Sequence, residues 1–308
     1  MSASSTKNVS IVEQKKEIPF HQENVYLDLL RKVLVGGQKR ETRNGCTLSC
    51  FGESMEFDIE QEFPLLTTKR MFWKGIVGEL MWFLKAHTDS KELEATNIHI
   101  WKGNSSREYL DAHGLNHYEE GTCGPIYGFQ WRNFGGTYRG PHHDYINHGD
   151  GVDQLGKIIQ DIKTNPSSRR LIMSGWNPLQ EHKMVLPPCH TLYQFYVQDG
   201  KLSCQMYQRS GDMFLGVPFN IASTALLTCI VAKLTNLVPH KVRLILGDAH
   251  IYTEHIEAVQ EQLSRKCLPW CKLHMSDRDI QKPEDFTPND FVLENYKSHK
   301  RIPARMVV

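Results

Sequence analysis

A cysteine, a cation, a carboxylate and a side-chain amide fall close together within residues 186–221. Cys189 follows Pro187-Pro188, whose rings fix the local backbone. As a thiolate it would be a soft nucleophile; as a thiol it would be a small buried hydrophobe, the default for free cysteine. The runs within 191–207 alternate around Asp199-Gly200, a pair favoured in type I′ hairpin turns. That hairpin returns Gln208-Arg209-Ser210-Gly211-Asp212 toward the thiol. A guanidinium there can lower a thiol pKa and grip a phosphate with two parallel bonds. Asn220 opens an apolar helix. Its amide can read a ring edge carrying one donor and one acceptor, or it can serve as a helix N-terminal residue. His190 is the obvious base by position, but neighbours on an extended strand point to opposite faces, which takes it away from Cys189.

Three further positions stand out. Glu79 interrupts an apolar helical stretch, where a carboxylate must be partnered or protonated. Tyr127 lies in the turn Gly124-Pro125-Ile126-Tyr127-Gly128, as a packing residue or a proton donor. Arg169-Arg170 begins a strand, as solvated surface or as an anion site.

The elements that must carry these residues follow from periodicity. Tyr26, Leu29, Leu30, Val33 and Leu34 predict a helix from Glu23, stopped by Gly36-Gly37. Residues 38–49 read as a basic, turn-forming loop leading into a short strand around 47–58. Met71 to His87 predicts a helix with Trp73, Ile76, Val77, Leu80 and Leu84 on one stripe. The segment 88–150 is irregular, and helical spacing resumes from Val152 to Thr164. Strands are expected at Arg170–Gly175 and Val242–Gly247. Helices are expected at 218–238, apolar on most sides and therefore central, and at 251–264. No linker or repeat divides the chain, so the reading is one α+β domain at 20–308 with a mixed or antiparallel sheet covered by helices, after a disordered leader at 1–19.

The bulk numbers fit that reading. The chain has 308 residues, 40% hydrophobic and 23% charged, an ordinary globular balance. A formal net charge of +1 gives no reason to expect nucleic acid or an anionic membrane as the main partner. The polar N-terminal stretch lacks the apolar run of a signal peptide, and the scattered cysteines read as free thiols in a reducing compartment. Neither Cys46/Cys50 nor Cys267/Cys271 has zinc-site spacing, so no metal is expected. No apolar run approaches the roughly 20 residues that span a bilayer.

In this order the motifs closely resemble the thymidylate synthase family over about residues 20–308. They are Phe63-Pro64-Leu65-Leu66-Thr67-Thr68-Lys69-Arg70, Gly78-Glu79-Leu80-Met81-Trp82-Phe83-Leu84, Gly124-Pro125-Ile126-Tyr127-Gly128-Phe129-Gln130-Trp131, Ser168-Arg169-Arg170, Leu186-Pro187-Pro188-Cys189-His190, Gln208-Arg209-Ser210-Gly211-Asp212, Pro218-Phe219-Asn220-Ile221-Ala222-Ser223 and Gly247-Asp248-Ala249-His250-Ile251-Tyr252. Segments 103–123 and 136–150 resemble the eukaryotic or eukaryotic-virus form. The family's phosphate loop usually reads Arg-Thr-Gly-x-Gly-Thr. Here Thr42-Arg43-Asn44-Gly45-Cys46-Thr47 displaces the arginine by one position, leaving Arg43 or Arg40 for that role. The family tail Gly-Tyr-x-Pro-His-Pro is replaced by Asn295-Tyr296-Lys297-Ser298-His299-Lys300.

The resemblance implies reductive methylation of dUMP to dTMP, with 5,10-methylenetetrahydrofolate as cosubstrate and no metal. Cys189 would add to uracil C6, Glu79 would manage protons through water, and Tyr127 would help remove the C5 proton. Asn220 would read uracil N3–H and O4. Arg43, Gln208, Arg209, Ser210 and Asp212 would also contact dUMP, with His250 and Tyr252 on the ribose. Asp212 would meet the pterin, Ile100, Trp101, Leu215, Gly216 and Phe219 would line the folate pocket, and Val307 and Val308 would close it. The resemblance also implies a homodimer joined through the sheet face, each protomer lending Arg169 and Arg170 to its partner's phosphate site. The expected location is the cytoplasm, with nuclear entry left open. A deoxycytidylate hydroxymethylase, the nearest rival, would want an acid at position 220.

Overall fold

The computed structural model describes residues 21–306; the expected leader at 1–19, and Val307 and Val308, lie outside the described residues. The first helix, Glu23–Gly36, buries Tyr26, Leu29, Leu30 and Val33 on its inner side, as its periodicity predicts. Gly37 then runs so close to the sheet that a Cβ would lie 2.4 Å from the Val33 carbonyl oxygen and 3.0 Å from the Ser49 nitrogen. Glu23 is fully buried. Its carboxylate accepts from the Thr67 amide at 3.0 Å, the Thr67 hydroxyl at 2.6 Å, the Thr68 amide at 2.9 Å and the Thr68 hydroxyl at 2.7 Å. It thereby ties the 66–70 loop to the first helix.

The basic stretch expected as a loop is instead a hairpin of β1 (Gln38–Thr42) and β2 (Gly45–Asp58). Thr42 pairs with Gly45 across the two-residue turn Arg43-Asn44, and Gly45 takes a positive φ of 123° that favours glycine. β1 is exposed along its whole length, so no apolar alternation marked it. β3 (Ile172–Ser174), β4 (His190–Gln198), β5 (Lys201–Asp212) and β6 (Val238–Tyr252) complete a sheet in the order β1-β2-β6-β5-β4-β3. β5 and β6 run parallel and the other neighbours antiparallel, so the sheet is mixed. Asp199 and Gly200 both have positive φ, at 50° and 73°, as a type I′ turn requires. A small second sheet pairs β7 (Lys272–Met275) with β8 (Phe291–Glu294).

β6 is longer than the expected 242–247 strand because it pairs with β2 on one side and β5 on the other. The helix expected from 251 therefore starts only at Ile256, after a tight turn at Thr253–His255. The Met71–His87 helix contracts to Trp73–Leu84. The central helix is Gly216–Leu234, with Pro218 in its first turn where a missing N–H costs nothing. At 19 residues and mean hydropathy 1.6 it is long and apolar enough to cross a membrane, contrary to the expectation that no stretch was, yet 78% of its apolar window is buried inside the fold. It makes the crossover between parallel β5 and β6 and covers one sheet face.

On that covered face Tyr193, Met206, Leu244 and Met55 lie side by side across β4, β5, β6 and β2, all buried. On the opposite face Ile172, Tyr196 and Tyr207 remain 41%, 60% and 37% exposed.

Candidate active site

Cys189 sits at the last residue before β4, at the mouth of the covered face. Its backbone N–H donates to the Tyr127 hydroxyl at 2.8 Å, and its carbonyl accepts from the Arg209 N–H at 2.9 Å. Arg209 is pinned from the side as well. Its guanidinium donates to the carbonyls of Pro187 at 2.7 Å and Pro188 at 3.0 Å, and lies 5.5 Å from the Trp176 ring. The proline pair thus does two jobs: it stiffens the approach to the thiol and presents carbonyls that aim the cation.

Tyr127 begins a short helix, Tyr127–Asn133. Its ring stacks on Phe83 at 4.8 Å and meets Trp101 edge-on at 5.9 Å. Burial pushes its phenol well above the ordinary range, and the neighbouring charge of Cys189 adds to that push. Glu79 approaches from the Trp73–Leu84 helix and accepts from Trp101 Nε1 at 2.8 Å. Burial raises its carboxyl to about 7, against the pull of the Trp101 bond. The expectation that this carboxylate is partnered or protonated holds on both counts. At neutral pH it can give or take a proton with little bias.

Asn220 is not a helix cap. It lies inside the Gly216–Leu234 helix, whose N-cap is Leu215, and its Oδ1 accepts from Gln208 Nε2 at 2.9 Å. His190 is 6% exposed, with Nδ1 3.1 Å from the Tyr193 hydroxyl and its ring edge-on to Tyr127 at 5.4 Å. Burial lowers its pKa to about 4, so it is neutral at physiological pH. Asp212 caps the start of the next turn by accepting from the N–H groups of Phe214 at 2.9 Å and Leu215 at 3.1 Å. Ser210 and Asp212 pair in register with Asp248 and His250 on β6. His250 and Tyr252 meet edge-on at 5.2 Å. Burial and the Asp212 charge raise the Tyr252 phenol, and the charges of Arg43 and Cys189 also reach it. Arg43 lies in the exposed turn between β1 and β2, on the side of the sheet edge where Thr47 pairs with Tyr252. Arg40 does not share that freedom, because it pairs with Asp248 at 2.8 Å. Ile100, Leu215 and Phe219 are half-buried apolar walls packed against the core, Trp101 is buried, and Gly216 opens the helix beside them.

Arg169 and Arg170 are exposed and lie apart from this group. The Phe195 N–H donates to the Leu171 carbonyl, which sets the pair level with the far half of β4. Six strand residues from Cys189 correspond to roughly 20 Å.

One residue with an evident place here carried no functional reading in the sequence. Lys69 is 6% exposed, bonds the Phe214 carbonyl through Nζ, and sits 3.8 Å from the Phe214 ring centre. Burial lowers its pKa to about 7, against the Asp212 charge. Lys69 directly follows Thr67 and Thr68, the two residues that Glu23 holds. The C-terminal tail runs along the same loop: Tyr296 donates its hydroxyl to the Leu66 carbonyl at 2.9 Å, and the His299 N–H donates to Thr67 at 2.8 Å. Farther on, His255 Nε2 lies 2.9 Å from the Arg305 carbonyl.

Residues 24–308 match the family model described as thymidylate synthase. The chain is 53% identical over 289 residues to thymidylate synthase of Herpesvirus ateles, covering 94% of this chain and 99% of that one. It is 50% identical over 291 residues to human thymidylate synthase, covering 94% and 92% respectively. A putative bifunctional dihydrofolate reductase-thymidylate synthase of rice is 49% identical over 291 residues, and there the match spans 58% of the longer protein. With a thiol, a pinned guanidinium and a tethered amide gathered at the end of one mixed sheet, and with matches of this extent, the chain belongs to the thymidylate synthase family.

Proposed function

We propose that the chain converts dUMP to dTMP by covalent catalysis at Cys189, with 5,10-methylenetetrahydrofolate supplying both the one-carbon unit and the hydride. The single observation that carries the residue assignment is the clamp around Cys189. Tyr127 and Arg209 hold its backbone from two sides, and the Arg209 guanidinium is fixed on the two carbonyls before it. Uracil C5 is a poor nucleophile. Addition of the thiolate at C6 makes C5 enolate-like and able to attack the donated one-carbon unit, so one hard step becomes two easier ones. The C5 proton then passes to water held by the Tyr127 hydroxyl, the folate nitrogen leaves the one-carbon unit as an exocyclic methylene on C5, and hydride from the resulting tetrahydrofolate converts that methylene to methyl as the Cys189 thiolate departs from C6, giving dTMP and dihydrofolate.

The other residues divide by chemistry. Arg43, Arg209 and Ser210 suit the 5′-phosphate, with Gln208 and Asp212 shaping the same end. Asn220 suits the uracil N3–H and O4 edge, and His250 with Tyr252 the ribose hydroxyl. Ile100, Trp101, Leu215, Gly216 and Phe219 fit a folate ring system, with the Asp212 carboxylate at the edge of that wall as a partner for the pterin. The free state of all eight cysteines suits a reducing, cytoplasmic setting. Val307 and Val308 retain their proposed part as the closing end of the tail.

The functional unit is proposed to be a homodimer joined through the open sheet face. The exposed Ile172, Tyr196 and Tyr207 on that face favour this, since aromatic and aliphatic side chains on one flat surface call for a partner. Arg169 and Arg170, remote from their own thiol, then complete the partner's phosphate site.

The test is release of tritium from 5-tritiated dUMP. Release is expected only with methylenetetrahydrofolate present, and dCMP is expected to be inert. Equal turnover of dCMP would remove the uracil assignment and reopen the cytosine reading.

A further inference from the structure

The C-terminal tail is held to the body at several points along its length. Arg265 donates to the Lys300 carbonyl at 2.7 Å, Ile302 is buried in the core, and Ala304 packs against it. The last hydrogen bond on the tail, among the described residues, comes from His255, whose Nε2 lies 2.9 Å from the Arg305 carbonyl oxygen. A carbonyl can only accept, so Nε2 carries the proton and donates. Glu254 Oε1, 3.6 Å from the same nitrogen, lies beyond hydrogen-bond reach. His255 is also joined to the site. It ends the tight turn that follows Tyr252, and its ring meets the Tyr252 ring at 5.8 Å and the Phe214 ring at 5.6 Å. Phe214 is the residue whose N–H Asp212 caps and whose carbonyl Lys69 bonds. One imidazole therefore meets the ribose-side pair, the turn before the folate wall, and the tail.

Packing alone does not account for a histidine here. The residue is 2% exposed, and its Nδ1 is buried with no hydrogen-bond partner among the described residues. An imidazole that fills a gap between aromatic rings and leaves one nitrogen unmet is a poorer filler than a phenylalanine of similar shape. What the imidazole adds is the Nε2–H, and that group is directed at Arg305. Val307 and Val308, the closing end proposed above, follow Arg305 by two and three residues.

We propose that His255 is a positioning residue for closure: by holding the Arg305 carbonyl it starts the end of the tail beside Tyr252 and Phe214, so that the closed tail keeps water from the reacting carbon. This rests on the dUMP and folate reading above. Water exclusion matters most at one step. Once C5 carries an exocyclic methylene, hydride must reach that carbon before water does. Attack by water bonds its oxygen to the methylene carbon, releases its proton to solvent and expels the Cys189 thiolate from C6. The products are then 5-hydroxymethyl-dUMP and tetrahydrofolate in place of dTMP and dihydrofolate.

The experiment compares two variants of the full-length protein. His255→Phe keeps an aromatic ring but loses the donor, and His255→Gln offers an amide N–H in place of the Nε2–H; His255→Leu serves if the phenylalanine variant folds poorly. Tritium released from 5-tritiated dUMP is measured against dihydrofolate formed, and wild type is expected to give equal amounts. In His255→Phe dihydrofolate formation is expected to fall about tenfold, the scale of one hydrogen bond. Tritium release should fall less, with 5-hydroxymethyl-dUMP making up the difference, while the dUMP dissociation constant stays unchanged. His255→Gln is expected to bring the two yields back together. Amide exchange in the 300–308 peptide reads the same hold without turnover, and should be faster in His255→Phe than in wild type or His255→Gln. Equal yields and unchanged exchange in folded His255→Phe overturn the proposal, as does equal impairment of both variants. A loss of dUMP affinity as large as the loss of turnover also overturns it, because His255 would then act on the ribose side. A wild-type protein that releases no tritium with methylenetetrahydrofolate would instead overturn the functional reading.

Discussion

Cys189→Ser and Arg169→Ala homodimers are each expected to be nearly inactive, and a mixture of the two to recover activity after subunit exchange. Losing the nucleophile should cost on the order of 10⁴–10⁶ in turnover. Losing one cation from a desolvated phosphate site should cost on the order of 10²–10³ in kcat/KM. In a hybrid dimer both lesions fall in one site if the arginine is donated across the interface, and the other site is then intact. With random exchange half the dimers are hybrids, so about a quarter of wild-type activity should return. If Arg169 served its own thiol, each hybrid site would carry one lesion and nothing would return. The geometry favours rescue, because Arg169 and Arg170 stand level with the far half of β4, beside the exposed face that carries Tyr196.

The second large effect concerns Glu79. Burial raises this carboxyl to about 7, so Glu79→Gln removes a proton carrier poised at neutral pH. Turnover should fall by roughly 10²–10⁴, with the limb of the kcat/KM profile near neutral pH flattened. Stability should move the other way. The folded state holds the Glu79 proton more tightly than the unfolded chain does, so it binds more protons between the ordinary carboxylate range and about 7. The Glu79 contribution to stability is therefore greatest below that window and declines as pH rises through it, by up to ~3 kcal/mol. Glu79→Gln lacks this term. Denaturant midpoints of the two proteins should converge at pH 5, and the variant should gain relative to wild type at pH 8. A difference independent of pH would show that Glu79 is not buried as a titrating group.

The chemistry of the site was legible where it was contiguous. Cys189, Arg209 and Asn220 share one strand–turn–strand–helix unit, and the Asp199-Gly200 turn told how the hairpin closes. Glu79 was legible as a carboxylate in an apolar stripe. Arg43 was favoured over Arg40 for the phosphate loop, and Arg40 is engaged by Asp248 in the fold. That pair depends on the local β1–β2 hairpin and on β2 meeting β6, the latter a contact between segments about 200 residues apart in the chain. β1 itself could not be read, since a strand exposed on every residue has no pattern of two. The partnership of His190 and Tyr193 was equally hidden. Three residues apart on a regular strand they would face opposite ways, but a register shift between His190 and Leu192 brings them together. The burial of Lys69 was not legible either, since its partner is the Phe214 carbonyl, 145 residues away in the chain.

The central claim is that Cys189 attacks the pyrimidine of dUMP in a site that also holds the folate. It is tested most directly with 5-fluoro-dUMP, whose C5 fluorine cannot leave as a proton does. Incubated with methylenetetrahydrofolate and then digested, the protein should yield a peptide containing Cys189 whose mass is raised by the nucleotide and the folate together. Adduct on any other cysteine, or none on Cys189 in protein that turns over dUMP, would contradict the account.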